Sequence, residues 1–324
     1  MNFKVYGFIE FARIGVPVFL MLSGALLLNR EIDITDFLKK RLARLTYPFI
    51  FYLIIMMIVF SIFIINFTGF ESLSYIFKKA PFSPNWYFWL IASLYLAVPI
   101  LNKFVQHSSM KEIEYFLLVF ILGSFFYQIC VLIHLSHPID LTFFINPIGY
   151  LMLGYYLANK EFNMDNNKII SITLSLFLIS TVIKIFGFYG IMPHELAHFW
   201  LKSKYCWGYI DTGLLQIVQS TAIFLLFKYL YRSTDGIFSK FRYALEKNTI
   251  NNLNISVSKA SYGMYLLHHS LLDPLRIILK GFTFSGSQIC LLIIILIFSL
   301  SFVCWIMVIL LSKIPIIGKY SGYH

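Results

Sequence analysis

The chain has 324 residues, of which 59% are hydrophobic and only 13% charged, and its mean hydropathy is +0.77. A soluble domain carries about a quarter charged residues, so a soluble enzyme, a DNA-binding domain and a disordered protein are excluded. The net charge of +11 reads as Lys and Arg gathered in the loops of a membrane protein rather than as a polyanion-binding surface.

Apolar runs cover 8–28, 45–66, 86–104, 113–135, 142–159, 168–190, 207–231, 257–279 and 288–312. Each is close to the ~20 residues that a helix needs to cross a bilayer, and none alternates as a barrel strand would. The fold class is therefore all-α: a polytopic integral membrane protein of about nine transmembrane helices, forming a single domain over 1–324. The longest polar stretch, 232–256, holds Asn248, Asn251, Asn252 and Asn254 and reads as a loop between helices. Counting alternate loops, one side carries six basic residues (Lys4, Lys78, Lys79, Lys202, Lys204 and Lys280) and the other sixteen, from Arg30 to Lys319. The richer side faces the cytoplasm, which puts the C-terminus inside and residues 1–7 outside. Cys130, Cys290 and Cys304 lie in apolar runs and Cys206 stands at the edge of another. That pattern implies neither a zinc site nor a disulfide framework.

In chain order, the first polar feature is Asp33-Ile-Thr-Asp-Phe-Leu-Lys-Lys-Arg-Leu-Ala-Arg-Leu45. An Asp or Thr cap opens a short cytoplasmic helix there, with Phe37, Leu38, Leu42 and Leu45 toward the membrane. Lys40 and Arg44 stack at i, i+4 with Arg41 beside them. The cluster serves either as positive-inside anchoring or as a clamp for phosphates, such as those of coenzyme A. His134 reads as interfacial, and Lys184 and Arg276 as snorkelling toward outer ends. His194-Glu-Leu-Ala-His198 matches the H-E-x-x-H zinc arrangement. It follows Pro193 in a short outward loop, with only Asp211 to serve as a third ligand, so no metal site is expected. In the helix at 257–279, Ser261, Tyr265 and His268 share one face, and His269, Asp273 and Arg276 a neighbouring stripe. Counted from Lys259, His268 lies about 14 Å deep, near the bilayer midplane. Pro274 removes a helical hydrogen bond beyond it and opens the helix there. A midplane His with Tyr one turn away can act as a base or hold a sugar hydroxyl; it can equally glue helices together.

Three blocks in order carry a family resemblance. The first runs from Phe11-Ala-Arg-Ile-Gly-Val-Pro17 to the basic Lys39-Lys-Arg-Leu-Ala-Arg-Leu-Thr-Tyr-Pro48. The second is Trp86-Tyr with Tyr95-Leu-x-x-Pro99, and the third Ile255-Ser-Val-Ser-Lys-Ala-Ser-Tyr-Gly-Met-Tyr-Leu-Leu-His268. With Ile148-Gly-Tyr-Leu-Met-Leu-Gly-Tyr-Tyr156, this order resembles the membrane acyltransferase-3 family, in particular the branch that O-acetylates bacterial surface polysaccharides. The resemblance implies a ten-helix inner-membrane protein that moves acetyl from cytoplasmic acetyl-CoA to a sugar hydroxyl of a lipid-linked or cell-surface saccharide. It implies acetyl-CoA as acyl donor, no metal, and no nucleic-acid partner. Carried over by position, Lys40, Arg41 and Arg44 would meet the coenzyme A phosphates. Trp86, Tyr265 and His268 would line the cavity, with Arg13 near its outer mouth and His268 as the candidate catalytic residue.

Two departures stand out. Pro84 takes a place that is often His in relatives. The family's first helix, with its Arg and a later His thought to be the base, has no counterpart before Phe11. The expectation is a missing first helix and an inactive or nearly inactive chain, with His268 a polar cavity residue rather than the primary base. The rival reading from another class is a transporter or flippase for lipid-linked saccharides.

Overall fold

The computed structural model describes residues 13–68, 85–133, 144–145, 147–188, 213–234, 236–279 and 286–323. Their regular structure is helical: α1 (Gly15–Leu27), α2 (Ile34–Thr68), α3 (Trp86–His107), α4 (Met110–Leu132), α5 (Pro147–Asn159), α6 (Asn166–Phe188), α7 (Leu214–Leu230), α8 (Gly236–Glu246), α9 (Asn248–Leu279) and α10 (Gly286–Ser312), then a 3-10 turn at Gly318–Tyr320. The all-α membrane architecture holds, and five of these helices are long and apolar enough to cross a bilayer. Residues 1–7, Pro84, His134, the 194–198 motif, Cys206 and Asp211 lie outside the described residues.

Three expectations are corrected. Residues 33–45 are not a separate interfacial helix. Asp33 Oδ1 caps the Asp36 N–H at 2.8 Å, and the helix then runs unbroken through Pro48 for 35 residues. At 1.5 Å per residue that is about 52 Å, well beyond the ~30 Å hydrocarbon. Leu45 is buried and Phe37 packs edge-on to Tyr95 at 6.1 Å. These positions therefore face protein, and the exposed apolar stripe is Ile50, Ile54, Ile58 and Ile62. The stretch 232–256 is α8 and the start of α9 rather than a loop, and α9 passes through Pro274 without interruption.

The chain divides into two compact units: Met1–Glu31 with Val98–Leu245, and Ile32–Ala97 with Glu246–His324. In the first, α1 lies against α5 and α6 against α7. The α1–α5 crossing is a backbone contact. A Cβ at Gly24 would overlap the Leu151 carbonyl, and one at Gly154 would overlap the Met21 backbone, the reciprocal small-residue packing that lets membrane helices approach closely. The chain leaves α1 through Asn29 in the left-handed region, φ 61°, a conformation that Asn tolerates better than most residues. Asn102 and Gln106 of α3 then hold the Arg30 carbonyl. Lys184, expected to snorkel, is only 3% exposed and donates to the side-chain oxygens of Gln216 and Gln219. Gln219 Nε2 in turn donates to Thr181 Oγ1 at 2.8 Å.

In the second unit, α9 packs on α2 and α10. The first turns of α3 join them: Phe49 stacks on Phe88 with ring centroids 3.8 Å apart, while Phe37 meets Tyr95. Ascending numbers on α2 thus match descending numbers on α3, so those two helices run antiparallel. After α10 the tail turns back. Ser321 is fully buried and its carbonyl accepts the Tyr52 hydroxyl at 2.8 Å. Gly322, at φ +73°, rests on the Gly263 backbone, a seat that calls for glycine twice over.

Candidate functional site

The second unit brings most of the residues singled out in the sequence together along the matching stretches of α2, α3 and α9. At its basic end, the first turns of α2 carry Lys40, Arg41 and Arg44. Arg41 is half-buried; its guanidinium lies 5.9 Å from the Phe37 ring centroid, and both it and Arg44 are near enough to the Tyr95 phenol of α3 to act on it electrostatically. Lys40 is turned outward and pairs with Asp36 at 3.4 Å, both side chains largely exposed, so this surface pair contributes little. The structure therefore places Arg41 against the aromatic side chains, with Arg44 and Lys40 exposed at the rim.

Next come the tyrosines. The Tyr262 hydroxyl of α9 donates to the Leu45 carbonyl of α2 at 2.7 Å, which sets α9 beside α2 one residue beyond Arg44. One turn on, the Tyr265 hydroxyl accepts the backbone N–H of Tyr87 at 3.1 Å. This N–H belongs to the first turn of α3, where such donors lack intrahelical partners; the next one, of Phe88, goes to the Asn85 carbonyl at 3.0 Å. Trp86 leads that turn and meets Tyr87 edge-on at 5.8 Å. Tyr87 also lies 5.2 Å from the Tyr265 ring. Tyr265 thus reaches the helix end that Trp86 leads, through Tyr87.

His268 follows Tyr265 on the same face, with rings 5.6 Å apart. Its Nδ1 bonds the Tyr265 carbonyl. A carbonyl can only accept, so in the neutral ring Nδ1 carries the proton and Nε2 keeps the lone pair. The His269 ring lies 4.1 Å from His268. Its Nδ1 is 3.6 Å from Asp273 Oδ2, too far for a hydrogen bond, and is buried without a hydrogen-bond partner, as is Ser270 Oγ. From Tyr262 to His268 is six residues, about 9 Å along α9. Arg13 belongs to the first unit and is exposed in the turn before α1. Among the described residues no group of three or more His, Cys, Asp or Glu could hold a metal ion.

Tyr95 and Tyr262 are the functional candidates that sequence reasoning passed over. Tyr262 lies three residues before Tyr265, on the same side of the helix, and that spacing was its available signal. The Phe37–Tyr95 contact that brings Tyr95 beside Arg41 joins helices distant in sequence and had none.

Chemically, the arrangement offers bidentate cations in the first turns of a helix, a cluster of tyrosines, and an imidazole with a lone pair. No curated protein and no solved structure matches this chain. A family model described as an acyltransferase domain matches residues 1–309, and the chain belongs to that family, the membrane acyltransferase-3 proteins.

Proposed function

We propose that this acyltransferase takes an acetyl group from cytoplasmic acetyl-CoA and delivers it to a sugar hydroxyl of a lipid-linked or cell-surface saccharide. In this reading the chain sits in a bacterial inner membrane with its C-terminus in the cytoplasm. The observation that carries it is the continuity of the cluster, from Arg41 and Arg44 through Tyr95, Tyr262 and Tyr265 to His268, within matching stretches of three helices. Arg41 and Arg44 present the forked donors that suit phosphate oxygens, with Lys40 adding charge at the rim. The tyrosines and Trp86 give a passage with apolar faces and hydroxyl edges, suited to the arm that carries the thioester. His268, read from the sequence as a cavity residue rather than the primary base, keeps a lone pair on Nε2, and in this reading Nε2 accepts the proton of the acceptor hydroxyl. The hydroxyl oxygen bonds to the thioester carbonyl carbon, the carbon–sulfur bond breaks, and the coenzyme A thiolate leaves toward the cytoplasm.

The test is to incubate membranes holding the intact protein with radiolabelled acetyl-CoA and extracted saccharide. Alkali-labile label on the saccharide, lost when Arg41 and Arg44 are both replaced by Ala, is the expected result. Saccharide crossing the bilayer with no label transferred would overturn the proposal in favour of a transporter.

A further inference from the structure

The polar stretch before α9 folds into α8, an eleven-residue helix at Gly236–Glu246. At 1.5 Å per residue it is about 16 Å long, half the hydrocarbon thickness, and it carries Lys240, Arg242 and Glu246, so it does not cross the membrane. One side is fixed to the first unit. Phe238 packs on the cluster of Ile169, Ile170 and Tyr229, and Arg242 Nη1 donates to the Tyr231 carbonyl at the end of α7, 3.2 Å away. The helix is therefore held in place rather than tethered.

At 100° per residue, Phe238, Arg242 and Leu245 fall on this inward stripe, and Ile237, Phe241 and Ala244 form the stripe next to it. That second stripe is open: Ile237 is 82% exposed and Phe241 53%. Lys240, exposed, borders it on the far side, followed by Tyr243, whose ring lies 4.6 Å from the Arg242 guanidinium. The order across the helix is thus protein contact, open apolar stripe, then a basic and aromatic flank.

We propose that α8 is an interfacial anchor: its Ile237–Phe241 stripe enters the acyl boundary of the bilayer while Lys240 binds anionic phospholipid headgroups. The occupant follows from charge and position. Residues 232–247 carry Arg232, Lys240, Arg242 and Lys247 against Asp235 and Glu246. Arg232 is bound to Glu161 and Arg242 to the Tyr231 carbonyl, and Lys240 stands exposed at the border of the open stripe. The helix begins six residues after the apolar α7 ends, which keeps it at the membrane edge. An apolar stripe flanked by Lys and Tyr is what a helix lying in the interface presents.

The test uses the full chain with its four cysteines replaced, a nitroxide label placed in turn at 237, 241 and 243, and nanodiscs of phosphatidylcholine with or without phosphatidylglycerol. Labels at 237 and 241 should collide more with oxygen than with an aqueous nickel chelate, and the label at 243 the reverse. The first two should move deeper when phosphatidylglycerol is present, and K240E should abolish that shift. Labels at 237 and 241 equally open to the chelate would overturn the proposal. Labels shielded from both reagents would assign the stripe to a protein contact instead. Equal depth in both lipids would remove anionic phospholipid as the partner.

Discussion

In the first unit the buried polar group is Lys184, whose ammonium donates to Gln216 and Gln219 while Gln219 donates onward to Thr181. In the second, His269 Nδ1 and Ser270 Oγ are buried without hydrogen-bond partners, and His268 keeps a lone pair on Nε2. Both clusters are polar groups inside apolar helices, the kind of feature that marks function by default in a membrane protein. The first is closed upon itself, its donors matched to acceptors from two helices. The second holds capacity in reserve. Depth in the membrane does not separate a structural polar residue from a chemical one; the completeness of its hydrogen bonding does.

The sharpest way to break this comparison is His268→Ala. Transfer rate should fall about 10²- to 10⁴-fold, the usual loss for a general acid–base group, with the melting temperature in detergent near that of the parent. His268→Asn, which can still bond the Tyr265 carbonyl but lacks Nε2, should be equally slow. Normal rates in both variants would end the case for proton acceptance at this ring.

Arg41→Ala should weaken acetyl-CoA binding by about 1.5–3 kcal/mol, the range for charged hydrogen bonds, measured by titration of purified protein. Arg41→Lys should recover only part of this, because an ammonium cannot form a fork. Lys40→Ala should cost less than either, since Lys40 is exposed and engaged with Asp36. If the Lys40 variant lost the most, the rim and not the aromatic interior would hold the phosphates.

The matching change in the closed cluster is Lys184→Met. It leaves the Gln216 and Gln219 oxygens buried and orphaned, and should lower stability by about 1–3 kcal/mol. The transfer rate per folded molecule should stay unchanged. A loss of rate at normal melting temperature would show that the two clusters are not of different kinds.

The smallest effect concerns pH. Arg232 donates to Glu161, and this holds the Glu161 carboxyl below its ordinary value of 4.5. The folded state therefore gains stability that is present above the unfolded carboxylate range and lost as pH falls through the lowered folded value. Glu161 is exposed, so the gain is modest and screened by salt. Thermal melts of the parent and Glu161→Gln should differ near neutral pH in low salt and converge in acid.

The helices were legible because apolar runs of bilayer length have few other solutions. The capped start at Asp33 was legible as well, from local chemistry. Where α2 ends was not: a basic stretch and an apolar one read as two helices, and only packing of Phe37 and Leu45 on protein makes them one. The asparagines at 248–254 disfavour helix intrinsically, yet they are helical and exposed in the first two turns of α9. Lys184 shows a further limit, since sequence gives depth along a helix and not the direction in which a side chain points. For the candidate site, the α9 residues and the basic turn were readable from spacing. Their meeting with Tyr95 and the first turn of α3 was not, because it depends on helix register across distant segments.

The Tyr52–Ser321 bond closes a loop of 269 residues, and the Tyr262–Leu45 bond one of 217. Loops of this length close slowly, after nearer contacts have formed. During synthesis α2 enters the membrane early, but the partners that fix its register against α9 emerge only with the last segments of the chain. The first unit gathers most of its helices within Val98–Leu245 and can mature while the rest is still being made. The second unit is then the last to form, and its cluster comes together only once Ser321 and Gly322 have reached their seat.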